Sequence, residues 1–219
     1  MDPLVSVIIP TYRHTGSLHR AIESVNSQTY NNIEVLLLET PAKNSRISSN
    51  IKETIAYPAE HIITDHGIGV AKARNIGIRG SSGKYIAFLD DDDEWHREKT
   101  RIQVDRLESK PAKVGASITG NIKIDPDGSE RTTYIPHLPD DPVEYQICAN
   151  IGSFSMLMVR SKVVRVIGCL DERLDQREDS DFLLRIALHF EFDIVKRPLV
   201  RKHVHGDRHL GSEYSTAIK

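Results

Sequence analysis

Hydrophobic and polar positions alternate in blocks along the first half of the chain. Residues 5–9 form a short apolar run ended by Pro10 and read as a buried first strand. Leu18, Ala21, Ile22 and Val25 then recur at the i, i+3, i+4, i+7 spacing of one helical face, with Ser17 as candidate N-cap. Residues 33–38 are a second apolar run. Strand, helix, strand over this length is a βαβ unit, which implies parallel strands and a right-handed crossover. Ile47, Ile51 and Ile55 recur every fourth residue and predict a helix ending before Pro58. A short strand is expected at 61–64, a helix at 70–78 closed by Gly80-Ser81-Ser82-Gly83, and a strand buried on both faces at 84–89. A further helix runs from about Arg97 to Ser109 and stops before Pro111.

After Pro111 the pattern changes. Residues 114–124 and 131–135, joined by the turn Asp125-Pro126-Asp127-Gly128, read as a β-hairpin, and 154–159 as another strand. Ser161 can cap a short helix ending at Gly168; 178–190 is a stronger helix and 192–195 a last strand. The reading is therefore α/β: one domain with a nucleotide-binding half at 1–110, a second half at 111–205 that adds β-structure and helices, and an irregular tail at 206–219. The loop at Pro139-Asp140-Asp141-Pro142 is not taken as a boundary.

Composition adds exclusions. The 219 residues carry a formal charge of −2, with no basic footprint for nucleic acid. No run approaches the roughly 20 apolar residues of a membrane span. Cys148 and Cys169 fit no metal or redox spacing, so a reduced, cytoplasmic chain is expected.

Three places carry candidate chemistry. The buried strand at 84–89 ends in Asp90-Asp91-Asp92-Asp93-Glu94, at the end of an open α/β sheet where ligands bind. Adjacent carboxylates repel, so a cation would relieve them, and in an extended segment Asp90 and Asp92 share a side. The alternative is an acidic, solvated helix start. Asp179 shares a helical face with Leu183, Ile186 and Phe190, whereas Glu178 lines up with Phe182, Arg185 and His189. An inward carboxylate needs a partner or a task; the structural alternative is an ion pair with Arg173, Arg177 or Arg185. His203, His205 and His209 suit zinc, or one of them completes the aspartate site, or all three are solvated. Gly67-Ile68-Gly69 before a helix fits a dinucleotide fingerprint poorly but can offer N–H groups to a phosphate. A calcium loop starting at Asp90 is excluded by Trp95 and Arg101 at positions that need Gly and Glu.

Together, Val5-Ser6-Val7-Ile8-Ile9-Pro10-Thr11-Tyr12, Ala21-Ile22-Glu23-Ser24-Val25, Ser27-Gln28-Thr29-Tyr30, Ala73-Arg74-Asn75-Ile76-Gly77, the run from Gly83 to Trp95 and Glu178-Asp179-Ser180-Asp181-Phe182 resemble the family-2 glycosyltransferases of the GT-A fold. The resemblance implies a Rossmann-like three-layer α/β/α architecture with a mainly parallel central sheet and a smaller β-containing acceptor half. It implies that Pro10, Thr11 and Tyr12 border the base and ribose, that Asp90 and Asp91 contact the ribose, and that Asp92 holds Mn²⁺ or Mg²⁺. It further implies Asp179 as general base, His205 beside the metal or diphosphate, and nucleotide contacts from Arg74 and Asn75. The family's Asp-Asp-Gly-Ser after its second strand is here Glu39-Thr40-Pro41-Ala42; Glu39 can still accept a hydrogen bond from a uracil edge.

The implied activity is inverting transfer of a sugar from a nucleoside-diphosphate sugar, UDP-linked by preference, to a glycan, lipid-linked or other hydroxyl acceptor. A lipid acceptor would draw the protein to the inner face of the cell membrane. The rival readings are a sugar nucleotidyltransferase, which needs a Gly-rich basic loop after the first strand, and a non-catalytic nucleotide-sugar-binding module. Acceptor contacts are expected from 120–152.

Overall fold

The apolar runs of the first half become parallel neighbours. In the computed structural model, β1 (Val5–Tyr12) lies between β2 (Ile33–Thr40) and β4 (Tyr85–Phe88), and β3 (Ala59–Ile63) pairs with the outer side of β2. The structure describes residues 1–12, 16–41, 50–137, 141–143, 146 and 151–204. Expectations at the start of the Ile47 helix, at Pro139–Asp140, at Cys148, and at His205, His209 and the tail lie outside those residues.

β1 continues three residues past the expected stop at Ile9. Ile8 O accepts from Leu89 N at 3.0 Å, so even-numbered residues of β1 face β4, which ends at Phe88 beside Ile8. Pro10 therefore presents its missing N–H where no partner strand remains, and a strand tolerates proline there.

Helix α1 (Ser17–Asn26) returns the chain to β2, with Gly16 rather than Ser17 at its N-cap. Helix α2 (Val70–Gly80) packs on one face of the sheet: a Cβ at Gly77 would fall 2.7 Å from Ile8 Cγ2 and 3.0 Å from Leu38 Cδ2. Val7 and Ile9 point to the opposite face and are equally buried, so both faces are covered. The helix predicted from Ile47 is, in its described part, a single 3₁₀ turn at Ile51–Thr54. Its Ile51 and Ile55 are buried, which explains the spacing without an α-helix.

The second half extends the same sheet through β6 (Val114–Ile124), β7 (Glu130–Tyr134), β8 (Leu157–Arg160) and β9 (Glu191–His203), in the order β3-β2-β1-β4-β8-β6-β9-β5 with β7 beside β6. The added β5 (Asp93–Trp95) is three residues of the acidic run itself, paired antiparallel with β9. Four of the eight pairings are parallel, so the sheet is mixed rather than mainly parallel. A turn closed by Asp93 N to Asp90 O at 3.1 Å separates β4 from β5 in sequence, yet four strand spacings, roughly 19 Å if flat, separate them in the sheet. The sheet must curl to bring its far edge back to the end of β4.

Helices α3 (Lys99–Glu108), α4 (Ser161–Ile167) and α5 (Glu178–His189) follow the expected order. The N-cap of α4 is Arg160, not Ser161. β9 runs well past the expected 192–195, because Pro198 is taken up at shifts in the β6–β9 register. Phe88, Phe154 and Phe182 bring β4, a 3₁₀ turn and α5 together, with ring centroids 4.8, 5.9 and 6.3 Å apart.

Candidate active site

The acidic run emerges from β4 beside the end of β1, as the parallel register dictates. The Thr11 hydroxyl donates to Asp91 Oδ2 at 2.5 Å. Burial pushes the Asp91 carboxyl up to about 6, against the pull of Thr11 and the Tyr12 backbone, and the charges of Asp92 and Asp90 add to the rise. Asp90 goes the other way. Burial would raise it, but the Arg74 guanidinium and Lys202 outweigh that and hold it below the usual carboxylate range.

Arg74 joins the two acidic elements. It is 4% exposed. Nη2 donates to Asp90 Oδ1 at 2.6 Å and Nη1 to Glu178 Oε1 at 2.7 Å, while the guanidinium lies 4.3 Å from the Phe154 ring centroid. One fork thus ties the end of β4 to the start of α5, a role suited to a planar, permanently charged group. Glu178 is turned inward with Asp179, where its helical face predicts a lesser inward turn than that of Asp179. A long-range partner on α2 decides its direction.

Asp179 stands in the first turn of α5, where the helix N-terminus favours negative charge. Its Oδ1 accepts from Ser180 N at 2.7 Å. Burial, then the charge of Glu178, pushes its carboxyl up, while the Ser180 N–H pulls it down. The three arginines weighed as partners do not reach it among the described residues: Arg173 pairs with Asp171 and Arg185 with Asp181, and Arg177 caps the helix in a left-handed conformation, φ 63° and ψ 22°. That backbone is uncommon for a residue with a Cβ and sits directly before the two carboxylates.

Asp90, Asp92 and Asp93 form the third feature. One carboxylate oxygen from each lies within 4.8 Å of the others. Asp93, 2% exposed, was not singled out in the sequence because its burial comes from the distant β9. Its Oδ2 has no hydrogen-bond partner among the described residues, and Lys202 Nζ stands 3.7 Å away. Burial pushes Asp93 up to about 7 despite Lys202, with Asp90 and Asp92 adding to the rise. Three neighbouring carboxylates, one of them buried with an oxygen that lacks a donor among the described residues, suit a hard divalent cation.

A cleft of about 520 Å³ opens over this cluster. It is lined by Pro10, Thr11, Tyr12 and Arg74 together with Asp90, Asp91 and Asp92. Gly67 and Gly69 close it at the α2 N-terminus with φ of 74° and 75°, a conformation glycine reaches without strain. Thr40 also lines the cleft, whereas Glu39 does not. Successive β2 side chains alternate, and the buried Glu39 carboxylate meets His61 Nε2 at 2.9 Å on β3. Asn75 is likewise turned away: its amide binds Leu170 N, Leu170 O and Glu172, all at 2.9 Å, and so anchors the loop that leads towards α5. Asp179 is outside the cleft lining, across Glu178 and Arg74 from Asp90. His203 pairs with Glu94 at 2.5 Å. His205 lies outside the described residues.

A family model described as Glycosyl transferase family 2 matches residues 6–167. The chain is 27% identical over 234 residues to the amylovoran biosynthesis glycosyltransferase AmsB of Erwinia amylovora, covering 99% of this chain and 76% of AmsB. It is 28% identical to an uncharacterized glycosyltransferase of Haemophilus influenzae, spanning 65% of that protein's length. A 107-residue stretch, 48% of this chain and 42% of the relative, is 34% identical to the UDP-Glc:alpha-D-GlcNAc-diphosphoundecaprenol beta-1,3-glucosyltransferase WfgD of Escherichia coli. Among solved structures, S. aureus TarS 1–349 in complex with UDP-GlcNAc superposes with a TM-score of 0.74 at 16% identity, covering 96% of this chain and 61% of that one. The mannosyltransferase PcManGT from Pyrobaculum calidifontis, in complex with GDP-Man and Mn²⁺, gives 0.68 at 16% identity, over 95% and 59%. At such identities the likeness is one of fold.

Proposed function

The chain belongs to glycosyl transferase family 2, and from that premise we propose that it moves a sugar from a nucleoside-diphosphate sugar to an acceptor hydroxyl with inversion, Asp179 serving as general base. The observation that carries the proposal is the Arg74 fork, which ties Asp90 of the cleft to Glu178, the residue next to Asp179. The base and ribose would rest against Pro10, Thr11 and Tyr12, with Asp90 and Asp91 towards the ribose. A uridine donor is favoured by the UDP-GlcNAc of the TarS neighbour, and Thr40, which lines the cleft where Glu39 does not, would meet its base. The α2 N-terminus, opened by Gly67 and Gly69, offers N–H groups on the diphosphate side.

Asp92, with Asp90 and the buried Asp93, would hold Mn²⁺ or Mg²⁺; the neighbouring carboxylates and the Mn²⁺ of PcManGT support this. When bound, such an ion neutralises charge developing on a diphosphate leaving group. Asp179 accepts the proton of the attacking hydroxyl. A carboxyl raised by burial holds that proton more readily than an exposed one. Glu178 and Arg74 position it. Displacement in a single step needs no carboxylate nucleophile, so one base suffices.

The test is Asp179→Asn, assayed for transfer and, separately, for donor binding. Transfer falls by at least about a hundredfold while donor binding is retained. Near-normal transfer overturns the assignment. Release of pyrophosphate instead of a nucleoside diphosphate would mark a nucleotidyltransferase.

A further inference from the structure

A second cleft, of about 650 Å³, lies between the β6–β7 hairpin and the end of β9. Its charged lining among the described residues is basic, Lys123, Arg131 and Lys202, with the His203 imidazole beside them. Arg131 leans on Asp125 at 3.1 Å and His203 on Glu94, whereas Lys123 has no ion-pair partner among the described residues. Lys202 links this cleft to the carboxylate cluster. It lines this one, donates to Ser153 Oγ at 3.1 Å, and faces Asp93 of the carboxylate cluster at 3.7 Å.

The lining also holds a buried polar atom without a partner. Asn121 is 6% exposed; among the described residues its Nδ2 reaches the Met156 sulfur, a weak acceptor at 3.1 Å, and its Oδ1 has no donor. Buried amide oxygens are almost always satisfied, so this one calls for a donor arriving from the cleft. A sugar hydroxyl is such a donor. The cations above it suit an anion.

We propose that this cleft is the acceptor site and that the acceptor is a saccharide bearing a phosphate group. A sugar hydroxyl donates to Asn121 Oδ1, and the phosphate rests on Lys123 and Arg131. The proposal rests on the transfer reading above, which gives a second cleft beside the carboxylates its purpose. Lys202 sets the distance between the two, bound on one side to the donor cluster and open on the other to the acceptor.

Calorimetry in EDTA, which removes divalent ions, compares glucose 1-phosphate with methyl glucoside as probes. The phosphorylated probe binds at least about tenfold more tightly, and the exposed double variant Lys123→Glu/Arg131→Glu abolishes that preference. No preference in the wild type, or a preference that survives the double variant, overturns the proposal. Mn²⁺-dependent UDP binding by the same protein reads the donor side. If it is present without a phosphate preference, the acceptor proposal alone fails; if it is missing while the preference persists, the transfer reading alone fails. Alkyl glucosyl phosphates of increasing chain length identify the source of the phosphate: tightening with length assigns it to a lipid carrier, constancy to a soluble or polymeric sugar phosphate.

Discussion

The two ends of the sheet solve different problems. The β3-β2-β1-β4 end is parallel, unbroken in register and filled with Val, Ile and Leu, each worth about 1.5–3 kcal/mol when fully buried. The β6-β9-β5 end is irregular and buries polar groups: Lys99, Gln103, Ser117, Asn121, Asp93 and Asp193. One end is a rigid shelf for the cleft. The other brings Asp93 and Lys202 to the carboxylate cluster. The two meet at Asp90–Asp93, which leaves the shelf and becomes the last strand of the polar end.

The largest expected effect comes from cutting the link between them. Arg74→Ala leaves Asp90 and Glu178 without their shared cation and lowers stability by about 3–5 kcal/mol in urea unfolding. Arg74→Lys does not restore it, since an ammonium cannot fork to both carboxylates. A loss below about 1 kcal/mol would mean that the two ends are held together by other contacts.

The contrast also explains what the sequence disclosed. The shelf was legible because its strands are continuous apolar runs and its crossovers are short and periodic. Asp90, Asp91, Asp92 and Asp179 stood out by residue type, at a strand end and at a helix start. Glu178, Asp93 and Thr40 did not, since their surroundings come from α2, β9 and the alternation of β2, all distant or subtle in the chain. Glu39 and Asn75 carried a chemical signal that the fold uses elsewhere, on His61 and on the loop at 170–172. The motif around Gln28 is structural too: its amide reaches His96 O and Thr100 N at 3.0 Å and so ties α1 to the segment after β5.

On the shelf, Gly83→Ala should cost about 1–3 kcal/mol, because the new Cβ would fall 2.6 Å from Tyr85 O and 2.7 Å from Ser6 N, backbone atoms that cannot turn aside. Thermal unfolding measures it. An unchanged midpoint would show that β1 and β4 have slack the register does not suggest.

At the polar end the expected effect is smaller and depends on pH. Burial lowers the Lys99 ammonium well below the usual lysine range. Its neighbours are the Gln103 amide at 2.7 Å and the Trp95 ring at 3.9 Å. Between its folded value and 10.5 the unfolded chain binds more protons, so this group makes stability rise with pH. Lys99→Met removes that contribution, and its melting temperature gains less than the wild type's between about pH 7 and about pH 9.5. Equal gains in the two proteins would contradict the assignment.

The central claim, that the carboxylates at the end of β4 hold a divalent ion and through it a nucleotide diphosphate, is tested most directly by titrating UDP into the protein by calorimetry with Mn²⁺ and with EDTA. The wild type binds at least about tenfold more tightly with Mn²⁺, and Asp92→Ala loses that difference. Equal affinity in Mn²⁺ and EDTA, or a metal effect that survives Asp92→Ala, would contradict it.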